Sequence, residues 1–151
     1  MTKNQEYTAA VARGEFPTDC FVPLDDQWED SRGVINNLLL EGCQSVAAIV
    51  SKRGSVRANH LHATDWHYAF VAAGSVLYFE REPSSTEIPT PRLFQRGQMF
   101  FTRPGVEHAM LFAEDSLILT FAKNRRDHEG HEADLQRVEF VTPEIAARWV
   151  A

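Results

Sequence analysis

Between Val34 and Ala122 the chain is cut into nine short runs rich in Val, Ile, Leu, Phe and Tyr, separated by clusters of Gly, Pro, Asp or Ser. Apolar runs of this length and spacing are the strands of a sandwich or barrel. The pattern predicts strands at Val34–Leu40, Ser45–Val50, Val56–His62, Trp66–Ala72, Ser75–Arg81, Arg92–Gln95, Gln98–Thr102, His108–Phe112 and Ser116–Ala122. Gly74 falls between two runs as a tight hairpin turn, and Arg96-Gly97 and Glu114-Asp115 read as further turns. The proline-rich stretch 82–91 (EPSSTEIPTP) is a surface connection, because strands continue after it.

The third and fourth runs carry the chemistry. His60, His62 and His67 place three imidazoles within eight residues. Successive side chains on a strand point to opposite faces, so His60 and His62 project from one side. His67 lies just past a polar turn (Ala63 to Asp65), so the next strand can bring it back beside the pair, and His108 follows Pro104-Gly105 far downstream as a fourth donor. Neutral imidazole is the commonest ligand for transition metals. A single histidine of this kind is more often a buried polar group satisfied by hydrogen bonds. Several together, without a ligand, leave too many ring nitrogens to satisfy. His60, His62, His67 and His108 are therefore the candidate ligand set for a divalent transition metal: zinc, iron, manganese or nickel.

With 151 residues the chain suffices for one domain with its own core. It divides into an N-terminal extension (1–29), a barrel (30–122), and a charged segment with a C-terminal helix (123–151). A net charge of −6 argues against a nucleic-acid partner and leaves small molecules or proteins. Cys20 and Cys43 form no CxxC pattern, so neither a disulfide scaffold nor a zinc ribbon is expected. No signal core and no bilayer-length apolar run occurs, which points to a soluble cytoplasmic protein without a membrane partner. In the tail, Thr142 and Pro143 suit the N-cap and first position of a short helix, which Ile145 and Trp149 dock on the body. His128-Glu-Gly-His131 is one residue short of HExxH, and with Gly130 inside it reads as a solvated loop.

These residues resemble the cupins. The first cupin motif is a glycine, five residues, His-x-His, three or four residues, usually a glutamate, six residues and a glycine; Gly54, His60, His62, His67 and Gly74 fall in those slots. In the second motif Gly97, Gly105 and His108 match, while Arg103 stands in the proline slot and Pro104 is displaced by one. The resemblance implies an all-β fold, a double-stranded β-helix (cupin jelly-roll barrel), here with the short C-terminal helix. Exposed edge strands of such barrels favour a homodimer. Activity does not follow, since cupins include dioxygenases, isomerases, epimerases and binding modules.

A narrower resemblance covers Asp30 to Phe121. Asp30-x-Arg32-Gly33 and then Arg57-Ala-Asn59-His60-Leu-His62 are similar to the cupins that process nucleotide-linked 4-keto sugars, the 3,5-epimerases and 3,4-ketoisomerases. Ala58 and Ala63 depart from the glycine and lysine of the ketoisomerase pattern. The resemblance implies His60 and His62 as catalytic groups, with His60 the base beside a ketone, and Arg57 and Asn59 as substrate-binding residues, Arg57 meeting the pyrophosphate. A surface or sheet ion pair with an acidic residue explains Arg57 equally well. Glu107 and Tyr68 are candidate catalytic partners, with Asp65 and Tyr78 also available. Ala69, Val71, Met110 and Phe112 share strand faces with His67 and His108 and are expected to line the pocket.

The resemblance also implies proton transfer without a metal, whereas His67 and His108 complete a metal set, and an imidazole bound to metal cannot act as a free base. Three readings follow: an isomerase or epimerase of a nucleotide-linked keto sugar, a metal-dependent cupin dioxygenase, and a non-catalytic ligand-binding cupin.

Overall fold

In the computed structural model of the chain, which describes residues 1–39 and 41–151, twelve strands and three helices follow one another. The strands are β1 (Phe21–Val22), β2 (Gln27–Asp30), β3 (Gly33–Asn36), β4 (Ser45–Ser51), β5 (Val56–His62), β6 (His67–Ala73), β7 (Ser75–Arg81), β8 (Arg92–Gln95), β9 (Met99–Thr102), β10 (Glu107–Phe112), β11 (Ser116–Ala122) and β12 (Leu135–Arg137). The helices are α1 (Lys3–Ala12), α2 (His128–Asp134) and α3 (Pro143–Ala147). Two five-stranded antiparallel sheets result, in the orders β1-β9-β6-β11-β4 and β12-β5-β10-β7-β8, with β2 and β3 paired apart as a hairpin.

The two sheets close on a shared core. Ala69, Val71, Phe100 and Ile118 come from one sheet, and Val76, Tyr78, Phe94, Met110 and Phe112 from the other. Strand alternation sends the intervening residues outward, where helices cover them. Tyr68, Met99 and Phe101 pack under Val11 of α1, while Phe79, Ala109 and Leu111 pack under Ala146 of α3. This double covering explains why all six residues of β10 are buried.

The sequence reading needs correction at several points. Gly74 is not a hairpin turn: β6 and β7, which it joins, lie in different sheets. The turns at 96–97 and 114–115 are found as expected and likewise join strands of different sheets, so short connections here step from sheet to facing sheet. The run Val34–Leu40 forms a strand only to Asn36 and pairs with β2 outside the main sheets, and its end at Leu40 lies outside the described residues. β1 and β12, from either side of 30–122, hydrogen-bond to β9 and β5. α1 has a readable signal, a capping box in which Thr2 Oγ1 accepts from Gln5 N–H and Gln5 Oε1 accepts from Thr2 N–H. At the other end Thr142 caps α3 with Pro143 in its first turn, as expected, and Ile145 packs on the body while Trp149 stays 46% exposed. No helix among the described residues is long and apolar enough to cross a membrane.

Candidate metal centre

The register between β5 and β10 sets the site. His108 pairs with His60 but Ala109 with Ala58, so Asn59 is an extra residue in a bulge, with Ala58 and Asn59 at φ 71° and 53°. Asparagine enters this left-handed region more readily than most residues. The bulge turns Asn59 away from the barrel interior: its Nδ2 donates to Val141 O and its Oδ1 accepts from Val141 N–H, both at 3.1 Å. Asn59, expected to bind substrate, instead latches the C-terminal segment. Asn59→Ala leaves the buried Val141 amide and carbonyl unpaired, and thermal denaturation is expected to show a loss of about 1–3 kcal/mol.

Beyond the bulge the strand alternates normally, and His60 and His62 both face the interior. His108 meets them from the neighbouring strand: ring centroids lie 4.7 Å apart for His60 and His62, 4.8 Å for His60 and His108, and 5.6 Å for His62 and His108. One ring nitrogen from each of the three lies within 4.8 Å of the others. His67 starts β6 in the facing sheet, so it looks at the pair across the cavity rather than from beside it. Its ring is 6.1 Å from His62 and 5.6 Å from His108, and it stands outside the three-nitrogen group.

The residues fit a metal. His108 is fully buried, and its Nδ1 is 3.2 Å from Val106 O, a pure acceptor, so the ring proton sits on Nδ1 and Nε2 keeps a lone pair. That Nε2, like Nδ1 of His67, has no hydrogen-bond partner among the described residues. A lone pair buried without a donor is costly unless a cation fills the space. Burial, reinforced by mutual repulsion, pushes His60 and His67 down to about 3 and His108 well below its usual range. Burial also lowers His62, against the pull of Asp65 and Asp134. At neutral pH all four rings are neutral donors. An imidazole held near 3 is also a weak base, which disfavours His60 as a free proton acceptor.

These shifts set an acid dependence for the metal-free protein. Unfolded, each ring takes up a proton near 6.5; folded, His60 and His67 do so only near 3. Between those values the unfolded chain binds more protons, so stability falls as pH drops from about 6.5 towards 3. Chemical denaturation of metal-free protein at pH 7 and pH 5 is expected to give the lower stability at pH 5. Equal stabilities would mean that the rings are hydrated.

The histidines end a cavity of about 210 Å³. Asp65 shares its polar end, Ile49, Met110 and Ala122 form an apolar wall, and Arg57, Arg126 and His131 also line it. Arg57 donates from Nε to Ser51 Oγ at 2.7 Å and from a terminal nitrogen to Val50 O at 3.0 Å. Neither Arg57 nor Arg126 has a carboxylate partner among the described residues, so the sheet ion pair considered for Arg57 is absent there. Of the four apolar residues expected in the lining, Met110 is there, while Ala69, Val71 and Phe112 fill the core.

Two expected catalytic residues are held elsewhere. Glu107 precedes the inward His108, points to the outer face and pairs with Arg81. Tyr68 follows the inward His67 and packs outside the barrel against Trp66 and Phe101, at centroid distances of 5.4 and 5.0 Å. Tyr78 lies in the core, its hydroxyl 2.8 Å from both Glu80 and Thr102. His131, set aside in the sequence as part of a solvated loop, lines the cavity, and Asp134 carries no mark in the sequence. The stretch read as a solvated loop contains α2, capped by Asp127, whose Oδ1 accepts from Gly130 N–H at 2.9 Å. α2 sets the His131 ring 5.4 Å from His62.

Neither a family model nor a curated protein sequence matches the chain. Solved structures do. The 4-keto-6-deoxy sugar epimerase NovW of Streptomyces spheroides superimposes with a TM-score of 0.62 at 17% identity, over 89% of this chain and 81% of its own. The 3,4-ketoisomerase QdtA of Thermoanaerobacterium thermosaccharolyticum, in complex with TDP, gives 0.59 at 19% identity, over 87% and 95%. The RmlC epimerase of Mycobacterium tuberculosis gives 0.61 at 17% identity, over 80% and 68%. The fold is that of the cupins. At these identities the likeness is one of architecture alone.

Proposed function

We propose that this cupin holds a divalent transition metal between His60, His62 and His108 and isomerises or epimerises a nucleotide-linked keto sugar. The observation that carries the reading is the group of three neutral imidazoles, donor nitrogens within 4.8 Å of one another, at the end of a cavity lined by two arginines without acidic partners among the described residues. A metal bound there supplies Lewis-acid polarisation of a ketone and stabilises enolate charge by several kcal/mol. Zinc, iron, manganese and nickel all accept imidazole donors.

The chain's own groups do the rest. Arg57, anchored through Ser51 and Val50, keeps further N–H groups for phosphate oxygens, and Arg126 adds a second positive charge to the lining. Asp65 and His131 are cavity groups outside the ligand set that can accept a proton next to a carbonyl; His67 also lines the cavity outside that set, but burial that holds it near 3 makes it a weak base. One Asp65 oxygen is already held by the amides of Trp66 and Asn124, which orients the carboxylate. The wall of Ile49, Met110 and Ala122 keeps water from an enolate. The likeness to structures named for sugar epimerases and a ketoisomerase, and the Arg57-x-Asn59-His60-x-His62 pattern, support the substrate class.

The test is turnover of a nucleoside diphosphate 4-keto-6-deoxyhexose by metal-loaded protein, followed by NMR of the products. A changed configuration or carbonyl position supports the proposal; recovery of unchanged substrate rejects it. Arg57→Ala is expected to raise KM roughly 10- to 100-fold, the worth of a charge-assisted hydrogen bond, with a smaller effect on kcat. The three-histidine group also suits a metal-dependent dioxygenase, whose metal keeps positions open for oxygen. Oxygen uptake by the iron-loaded protein with a metabolite panel would move the assignment there.

A homodimer is the expected assembly. Trp28 and Ile35 of the β2–β3 hairpin are 67% and 62% exposed, and Val46 and Val50 on the edge strand β4 are 62% and 72% exposed. Sedimentation is expected to give twice the chain mass.

A further inference from the structure

We infer that Asp134, in the segment after the barrel, positions His62 as a metal ligand. The inference rests on the metal reading above and assigns part of that site to a stretch outside the cupin motifs.

The main chain brings Asp134 to the site. β12 pairs with the outer edge of β5 with Leu135 opposite His62 and Arg137 opposite His60, so Asp134 is delivered beside the strand that carries both ligands. Its own carbonyl accepts from Ala63 N–H at 2.9 Å. The carboxylate is then fixed from the β5–β6 turn: Oδ1 accepts from Thr64 N–H at 3.0 Å and from the Thr64 hydroxyl at 2.6 Å, and Oδ2 accepts from Asp65 N–H at 3.0 Å. A carboxylate held by three donors presents its remaining lone pairs in one direction.

That direction is His62. Oδ2 lies 3.4 Å from His62 Nδ1. His62 is 3% exposed, its Nδ1 makes no full hydrogen bond among the described residues, and Asp134 is the one carboxylate there that approaches it closely enough to pair. An anion on this side draws the ring proton to Nδ1 and leaves Nε2, on the opposite edge, as the lone-pair donor. Val106 O does the same for His108. Two of the three ligands are thus oriented through Nδ1, one by a backbone carbonyl and one by Asp134. His62, Asp65 and Asp134 also offer donor atoms within 4.8 Å of one another, but the Asp134 oxygens are committed to amides and a hydroxyl, which suits an orienting role better than a ligand role.

A carboxylate that merely tied down the turn would make the same three hydrogen bonds, so the test must separate the two. In Asp134→Asn, the amide oxygen stays on the Thr64 donors, and the NH2 group faces His62 Nδ1 at the cost of the bond from Asp65 N–H. The ring must then accept at Nδ1 and carry its proton on Nε2, the atom the metal needs. Thr64→Val removes a hydrogen bond of the turn and leaves the carboxylate facing His62. Cobalt(II) affinity of the full-length protein is measured by chelator competition for wild type, Asp134→Asn, Thr64→Val and His60→Ala, with the visible cobalt spectrum and the melting temperature of each. Asp134→Asn is expected to weaken cobalt binding about 10- to 100-fold and shift its spectrum, while Thr64→Val lowers the melting temperature and binds cobalt as wild type does.

Unchanged affinity and spectrum in Asp134→Asn overturn the inference. So does equal loss of affinity in Asp134→Asn and Thr64→Val, which would make Asp134 a turn residue only. If wild type binds cobalt and His60→Ala does not, the metal reading stands whatever Asp134→Asn does. If wild type binds none, the metal reading fails and takes this inference with it.

Discussion

His108→Ala is expected to lower metal affinity about a thousandfold or more, beyond the 10- to 100-fold that follows loss of a residue that only orients a ligand. His108 is the one member of the group contributed by β10, and its Nε2 is a buried lone pair without a partner among the described residues. His60 and His62, both on β5, cannot enclose an ion alone. The same substitution should leave the metal-free protein folded, because loss of the bond to Val106 O is offset in part by removal of an unpaired polar atom, and water can fill the enlarged cavity. Calorimetric metal titration with circular dichroism checks both halves. A folded variant that binds like wild type would place the metal elsewhere.

Gly74→Ala carries the largest expected effect on stability, a loss of more than about 4 kcal/mol, in the exceptional range for one substitution. Gly74 sits at φ 84° in the corner where the chain leaves β6 for the facing sheet, and an added Cβ would meet the backbone of Asp115 and Ser116, at 2.5 Å from Asp115 O and 2.8 Å from Ser116 Cα. The contacted segment is the matching corner between β10 and β11, and it cannot yield freely, because Ser116 Oγ accepts from Ser75 N–H at 3.1 Å. Such a clash pushes two corners apart at once. Denaturant titration, or the yield of soluble protein, measures it, and wild-type stability would show that the two corners do not meet.

Much of the barrel was legible because alternation and turn residues are local signals. The strands from Ser45 to Ala122 follow the apolar runs closely, and His60-x-His62 faces inward because the bulge ends just before it. Alternation applied further would have removed two candidates: once His67 and His108 face inward, Tyr68 and Glu107 must face outward. What local pattern could not give was partner identity. Gly74 reads as a hairpin unless it is known that β6 and β7 join different sheets. Asn59 departs from its expected role through a bulge that exists only when β5 pairs with β10. α2 was missed because Gly130 weakens the helical signal, and the tie that brings the tail to the site, Asp134 to Thr64, spans 70 positions.

The most direct test of metal-assisted enolisation is solvent deuterium exchange into a nucleoside diphosphate 4-keto-6-deoxyhexose, compared between metal-loaded and metal-stripped protein. Exchange at the carbons flanking the ketone is expected only with the loaded protein, and is expected to be lost in His108→Ala. Equal exchange by the stripped protein would contradict the role given to the metal, and no exchange by either would contradict the reaction.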